Sequence, residues 1–401
     1  MKRVILSVFL SLLFVQFSMA CTAFCLSREN RTLLAKNLDW PIDDGLILVN
    51  RSGVRKSSFP GTGSTFSWTS LYGSITFNQF GRDFPLGGMN EEGLVMEELN
   101  MPSAPATGYS AKHALNEFQV VQYILDNFRS LAEIEAALAD FQMRPLLIPL
   151  HYLIMDRQGN SMIMEFEGGQ FNFYRSSESG IAVLSNNLYQ ESIRYLGKFS
   201  GFGGDLEIQH RPGSNERFVS VASMLSECHK AAPLQRSFEI LDTVAQSDTR
   251  WSIVYDATAL TIHLKFHDCP GIREINLDQV LVSDPHTWLG ADVADCSLTY
   301  PDSWRVISPE ENMELVKEVF RQLEQEMDPG HSKALLEQLL DYILRILPEG
   351  KDTPPMSCQI LEAPPKESFN GLFHQARYPL YSFFNCKRAM IGLGDLYLTF
   401  S

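Results

Sequence analysis

The feature that most restricts the fold is a series of short strand-like segments joined by turns of three or four residues. "HYLIMD" and "SMIMEF" flank "RQGN", "FNFYR" follows "EGGQ", "GLILVN" ends at the turn "NRSG", and "WSIVYD" faces "LTIHLKF" across "ATA". Such connections make hairpins, and hairpins make antiparallel sheet. Helical spacing interrupts the pattern twice. Leu115, Phe118, Val121, Leu125 and Phe128 recur at helical intervals between Ala111 and Phe128, and Ser130 with Glu133 forms a capping box for a second helix carrying Ile134, Leu138 and Phe141. A further helical block is expected from about Glu216 to Val244. Antiparallel strands with helices grouped between them predict an α+β layered fold.

The chain changes character after this. Ser308-Pro309-Glu310-Glu311 combines a cap, a proline at the first helical position and a nearby carboxylate, which predicts a helix running to about Glu326. It breaks at "DPGH" and resumes from Ser332 to Leu347. "PEGKDTPPMS" reads as a linker, and Gln359 to Ser401 carries no chemistry that can be named. The expected division is a leader at 1–20, a main domain at 21–325 and a C-terminal helical extension at 326–401.

The leader is read from Lys2 and Arg3, an apolar run from Val4 to Phe17, and the small-residue site Ser18-Met19-Ala20. That run has 14 residues, shorter than the roughly 20 of a membrane span, and no other segment comes close. An exported protein, periplasmic or extracellular, is expected. Removing Lys2 and Arg3 takes the formal charge from -15 to -17, which argues against nucleic acid or an anionic membrane surface as a partner. Seven cysteines in 401 residues are too few for a disulfide scaffold, and the odd count leaves at least one free thiol. No pair has zinc-like spacing, so neither a metal nor another cofactor is expected. Asn30-Arg31-Thr32 and Asn50-Arg51-Ser52 fit the glycosylation acceptor pattern, which matters only in a eukaryotic secretory host.

Cleavage of the leader before Cys21 leaves a cysteine with a free amine. An amide hydrolase can use such a residue as nucleophile and base together, because an α-amine titrates at about 7.7 to 8.0 and a thiol near 8.5. Five stretches, in order, resemble the choloylglycine hydrolase and penicillin V acylase family of N-terminal nucleophile hydrolases: "CTAFCLS", "AKNLDW", "GGMNEEGLVMEELNMP", "IAVLSNN" and "RPGSNERFV". The resemblance implies a four-layer αββα fold and hydrolysis of a linear, non-peptide amide. It also implies a small-molecule substrate that pairs an apolar acyl part with an amine-bearing group: a conjugated bile acid, a phenoxyacetyl β-lactam or an N-acyl homoserine lactone. The family is often tetrameric, so a homo-oligomer is expected.

By position in these stretches, Cys21 matches the nucleophile and Asp39 the acid that receives a hydrogen bond from the α-amine. Asn100 and Asn186 match the oxyanion-hole positions, where one amide donor is worth on the order of 3 kcal/mol. Arg217 matches an arginine beside the nucleophile, where a fixed cation favours thiolate. Lys36 stands at a substrate-binding position where the family carries arginine, and lysine lacks the planar fork of donors. The family's Thr-Asn-x-Pro becomes Ser185-Asn186-Asn187-Leu188, which makes Asn187 the alternative donor.

Two other readings compete. A leader followed by cysteine also describes a lipid-anchored binding or structural protein, with Cys21 acylated and its amine blocked. Leucine normally stands three residues before such a cysteine, where this chain has Ser18. A papain-like enzyme would draw on His151 or His263, but both sit in strand patterns and no Cys-Trp helix start surrounds Cys21 or Cys25. Cys25 reads as a buried strand thiol.

Overall fold

The turn at "DRQGN" shows how local chemistry sets the sheet. The Asp156 side chain accepts from the N–H groups of Gln158 (3.1 Å) and Asn160 (3.0 Å). Gly159 takes a φ of 86°, in the left-handed region that costs glycine nothing. The computed structural model in which this turn is seen describes residues 20–59, 65–101, 113–138, 141–144, 146–227, 231–281, 288–323, 329–346, 391–393 and 396–398. The leader up to residue 19, the expected linker, and Cys228, Cys358 and Cys386 lie outside the described residues.

From the amino end run β1 (Thr22–Arg28), β2 (Arg31–Asp39), β3 (Leu46–Asn50), the short pair β4 (Arg55–Ser57) and β5 (Ser67–Thr69), β6 (Ser74–Asn78), β7 (Pro85–Asn90) and β8 (Val95–Asn100). Next come β9 (His113–Leu115), α1 (Glu117–Asn127), α2 (Leu131–Leu138), β10 (Phe141–Met143), β11 (Leu150–Met155), β12 (Ser161–Glu167) and β13 (Gln170–Arg175). The helical stretch holds α3 (Ser176–Ser179), α4 (Tyr189–Leu196), α5 (Ser214–Ser226) and α6 (Pro233–Val244), with the two-residue β14 (Val183–Leu184) between α3 and α4. The unit closes with β15 (Thr249–Asp256), β16 (Thr261–Phe266), β17 (Arg273–Asn276), α7 (Leu277–Leu281), β18 (Leu289–Asp292), β19 (Arg305–Val306), α8 (Pro309–Leu323) and α9 (Pro329–Arg345).

Six strands form one sheet in the order β14-β1-β2-β15-β16-β17, and nine form another in the order β13-β12-β11-β8-β7-β6-β3-β18-β19. Every pairing within these two sheets is antiparallel. The sheets pack face to face, with Phe77 of β6 edge-on to Tyr255 of β15 at 6.2 Å between ring centroids. Helices α5 and α6 cover the six-stranded sheet and α1 covers the nine-stranded one, which completes the α+β, four-layer αββα arrangement.

Some boundaries differ from the sequence reading. α1 starts at Glu117 because the Asn116 side chain accepts from the N–H groups of Phe118 and Gln119 and caps it there. Phe141, expected on a helix, lies in β10 and pairs with His113 in a short parallel ladder. The block from Glu216 to Val244 is two helices, the second starting on Pro233. Helix α4 was not expected. Ser308 caps α8 as expected, its Oγ accepting from Glu311 N–H at 3.1 Å, and α9 begins on Pro329. Asn50 is 2% exposed and its side chain donates to Thr76, so its acceptor motif is closed to glycosylation in the fold. Cys269 and Cys296 form a disulfide, while Cys21 and Cys25 are free.

One compact unit ends at Ile346 and the other spans 347–401, where β20 (Ile391–Leu393) and β21 (Leu396–Leu398) pair as a hairpin. The expected boundary at 325/326 falls between α8 and α9, inside the first unit. Tyr342 of α9 packs against Phe59 and Phe84 at 5.7 and 5.4 Å. Its hydroxyl donates to Ser57 O (2.9 Å) and accepts from Gln119 Nε2 (3.1 Å). Gln119 is buried and Ser57 half-buried, so Tyr342→Phe should lower unfolding free energy by about 1 to 3 kcal/mol. Urea denaturation tests this, and an unchanged midpoint would show that α9 is not latched by this hydroxyl.

Candidate functional site

The hairpin of β1 and β2 sets the register: Thr22 faces Asn37 and Ala23 faces Lys36. Alternation therefore puts Cys21 on one side of the sheet with Lys36 and Leu38, and Thr22 on the other with Asn37 and Asp39. The first side meets the nine-stranded sheet, where Lys36 Nζ lies 2.8 Å from Glu97. The second meets the helices, where Asn37 Nδ2 donates to Leu241 O of α6.

Arg217, on the first turns of α5 and 1% exposed, ties these strands to the helices. Its Nη1 donates to Cys21 O (3.0 Å) and Thr22 Oγ1 (2.7 Å), and stands 3.7 Å from Asp39 Oδ2. Its Nη2 donates to Asn186 Oδ1 (2.9 Å) and its Nε to Pro212 O (3.0 Å). Asn186 in turn donates from Nδ2 to Asn100 O (2.9 Å), while its own N–H donates to Ser214 Oγ (2.9 Å). With Oδ1 and one Nδ2 hydrogen engaged, the second Nδ2 hydrogen is the donor left over. Asn187 enters none of these bonds. Strand alternation does not separate the two asparagines, because β14 stops at Leu184 and both lie in the bend before α4. Cys21, Asp39, Asn100, Asn186 and Arg217 thus come together, with Lys36 on the far side of the thiol.

The electrostatics divide the roles differently from the sequence expectation. Burial pushes the Cys21 thiol up to about 12, and the cation that opposes this is Lys36. Arg217 is bonded to the cysteine's main chain instead. Burial acts against the Lys36 charge, but Glu97 and Glu98 outweigh it and hold the ammonium protonated. Burial raises both of these carboxyls, with Lys36 acting in the opposite sense. Burial also raises Asp39 to about 7, against a hydrogen bond from Thr249 and the charge of Arg217. Asp39 Oδ2 is buried with no hydrogen-bond partner.

A pocket opens over the Cys21 thiol, walled by Leu38, Trp40, Phe80, Leu86 and Ile148, with Glu98 and Asn100 as polar lining. Its free volume is about 20 Å³, room for a single water. One wall is held from α1: the Glu117 carboxylate accepts from the N–H groups of Leu146, Leu147 and Ile148 at 2.7, 2.7 and 3.1 Å. His151 is bonded to Glu165, and His263 is paired with Glu274; the thiol's own contact is with Asp39 O at 4.0 Å. Among the described residues no group of acidic, cysteine or histidine side chains could hold a metal, and no helix is long and apolar enough to cross a membrane.

Residues 21–210 match the choloylglycine hydrolase family of linear amide C–N hydrolases. The matched stretch is just under half of the chain and holds four of the five motifs singled out above. No curated protein sequence matches it significantly. Among solved structures, penicillin V acylase from Agrobacterium tumefaciens superposes with a TM-score of 0.62 at 22% identity, over 72% of this chain and 98% of that one. A variant of the conjugated bile acid hydrolase from Clostridium perfringens gives 0.54 at 18% identity, over 64% of this chain and 92% of that one. At these identities the likeness concerns the fold, which is that of the N-terminal nucleophile hydrolases. The family match marks the chain as a linear amide hydrolase.

Sequence reasoning missed Glu97, Glu98, Ser214 and Thr249. Two consecutive carboxylates inside the apolar strand "VMEELN" were the legible signal for a buried cation partner. Nothing in the sequence marks Ser214 or Thr249. Lys36→Met should destabilise the fold by about 3 to 5 kcal/mol at neutral pH, because it strands two buried carboxylates. Their folded-state pKa values are raised, so the folded state binds more protons and the deficit should shrink as pH falls toward the ordinary carboxylate range. Urea unfolding at both pH values checks the sign, and a deficit that grows on acidification would refute the pairing.

Proposed function

We propose that the chain is an exported amidase, activated by removal of residues 1–20 and using Cys21 as an N-terminal nucleophile. While Ala20 is attached, the nitrogen of Cys21 is an amide and the buried thiol has no base. Cleavage creates an amine beside Asp39, whose Oδ2 is buried with no hydrogen-bond partner. That orphan oxygen, 3.7 Å from the guanidinium nitrogen that holds Cys21 O, is the observation that carries the reading.

The thiol passes its proton to the cysteine's own amine, and the thiolate attacks the amide carbonyl carbon. Asn186 Nδ2 and Asn100 donate to the oxyanion. The ammonium returns the proton to the leaving nitrogen, the C–N bond breaks, and an acyl thioester remains. Water, deprotonated by the same amine, then releases the acid and restores the thiol. Lys36, paired with Glu97 and Glu98, supplies the positive field under the sulfur. The apolar walls of the pocket support an apolar acyl group, as in penicillin V or a conjugated bile acid, on which the structural relatives act. An acylated Cys21 is disfavoured, because Ser18 stands where leucine normally precedes a lipidated cysteine.

Intact mass of the mature protein should correspond to a chain starting at Cys21 with an unmodified amine, whereas added diacylglycerol on an active preparation would sink the mechanism. Cys21→Ser should abolish turnover while Cys25→Ser retains it, since an alcohol ionises far less than a thiol.

Asn186→Ala should lower kcat/KM by about 100-fold or more, the usual cost of one oxyanion donor, and Asn187→Ala by much less. The reverse order in steady-state kinetics would move the donor by one residue.

A further inference from the structure

The carboxylate of Asp39 has two oxygens in different situations. Oδ2 has no hydrogen-bond partner, and Oδ1 accepts from the hydroxyl of Thr249. Thr249 reaches it through an irregularity in the ladder between β2 and β15. Thr249 faces Asp39 and Trp251 faces Leu38, so Arg250 is the extra residue of a bulge. Bulges of this kind re-aim a side chain at a strand end.

The direction of the Thr249 hydroxyl is fixed from behind. The N–H of Gln246 donates to Thr249 Oγ1 at 2.8 Å, and the N–H of Thr249 donates back to Gln246 O at 3.2 Å. A hydroxyl has one proton, and with a lone pair occupied by Gln246 the proton is left for Asp39. The carboxylate is thereby held by one oxygen, which fixes where the other points.

We infer that Thr249 is a positioning residue of the hydrolytic site: its hydroxyl, aimed by the bulge and by Gln246, orients Asp39 so that Oδ2 receives the amine of Cys21. This rests on the N-terminal nucleophile reading above. The groups facing Asp39 agree with it. Burial raises the carboxyl, and the Thr249 bond is the largest influence in the other direction, ahead of Arg217 on α5. Asp248, in the turn before β15, raises it and Lys36 on β2 lowers it. Removing the hydroxyl therefore lets the carboxyl rise further. A protonated Asp39 does not hold the amine as an ionised one does, so activity is lost at a higher pH than in the wild type.

The test compares Thr249→Val with Thr249→Ser on the mature chain, with Cys21→Ser as the reference. kcat/KM is measured from about pH 5 to about pH 9 on whichever of penicillin V, a conjugated bile acid and an N-acyl homoserine lactone the wild type turns over fastest. The iodoacetamide alkylation rate of Cys21 is followed in parallel. Thr249→Val should move the acidic limb of both profiles upward by about half to one pH unit and cost about 10-fold at the acid end. Thr249→Ser, which keeps the hydroxyl, should leave the limb in place. A purely structural role would lower thermal stability without moving the limb. If Thr249→Val does not fold, Thr249→Ala removes the hydroxyl without added bulk and carries the same expectation. An unmoved limb in the variant lacking the hydroxyl, or an equal shift in Thr249→Ser, overturns the inference. Should Cys21→Ser still hydrolyse the amide, the nucleophile reading itself falls; an inactive Cys21→Ser with an unmoved limb removes Thr249 alone.

Discussion

The buried guanidinium of Arg217 is the contact on which the rest of the site depends. A cation that is 1% exposed must have its donors and charge matched, or it costs several kcal/mol. Arg217 meets this need with groups from separate parts of the chain: Cys21 O and Thr22 Oγ1 at the start of β1, Asn186 Oδ1 in the bend after β14, Pro212 O ahead of α5, and Asp39 at the end of β2. Satisfying one side chain therefore brings the thiol-bearing residue, the carboxylate and the amide donor to one point. The planar fork of arginine makes this convergence possible where lysine would offer a single point of charge.

A second buried cation works by different rules. Lys36 lies between the sheets, 2.8 Å from Glu97 and 3.5 Å from Glu98, and Glu97 also accepts from the hydroxyl of Tyr255. The glutamate has room because Gly87 stands opposite: a Cβ there would lie 2.2 Å from the Glu97 carboxyl carbon. Lysine, two carboxylates, tyrosine and glycine thus form one set, in which a change at any member leaves another without a partner. Because Lys36 is also the cation acting on the Cys21 thiol, the packing of the two sheets and the reactivity of the cysteine share this ion pair.

Further out, a polar hub joins the C-terminal helices to the main unit. Lys56 lies 3.1 Å from Asp126 and 3.3 Å from Asp83, Trp68 Nε1 donates to Asp126 (2.7 Å), and the Tyr342 hydroxyl approaches Asp83 at 3.4 Å. Helix α9 closes over buried charge in this way, which explains why the compact unit extends to Ile346.

What the sequence determined by itself was the part governed by local rules. Strand periodicity and turn residues specified the antiparallel hairpins, Ser308 and Pro309 specified the start of α8, and five ordered motifs brought Cys21, Asp39, Asn100, Asn186 and Arg217 together by resemblance. Limits set by competition between local signals were less legible: Asn116 capped α1 later than the apolar spacing suggested, and Phe141 left its helix to pair with β9. The partners of buried charges were decided only in three dimensions. Lys36 and Glu97 are 61 residues apart in the chain, and Thr249 reaches Asp39 across a separation of 210 through a one-residue bulge. No propensity or spacing encodes such a meeting, because it depends on how two sheets stack and on where one ladder slips. The sequence supplied the reactive groups; the tertiary structure decided which cation faces the thiol, which oxygen of Asp39 stays free, and which of two adjacent asparagines is bonded into the site, because burial removes water and makes each of those pairings obligatory.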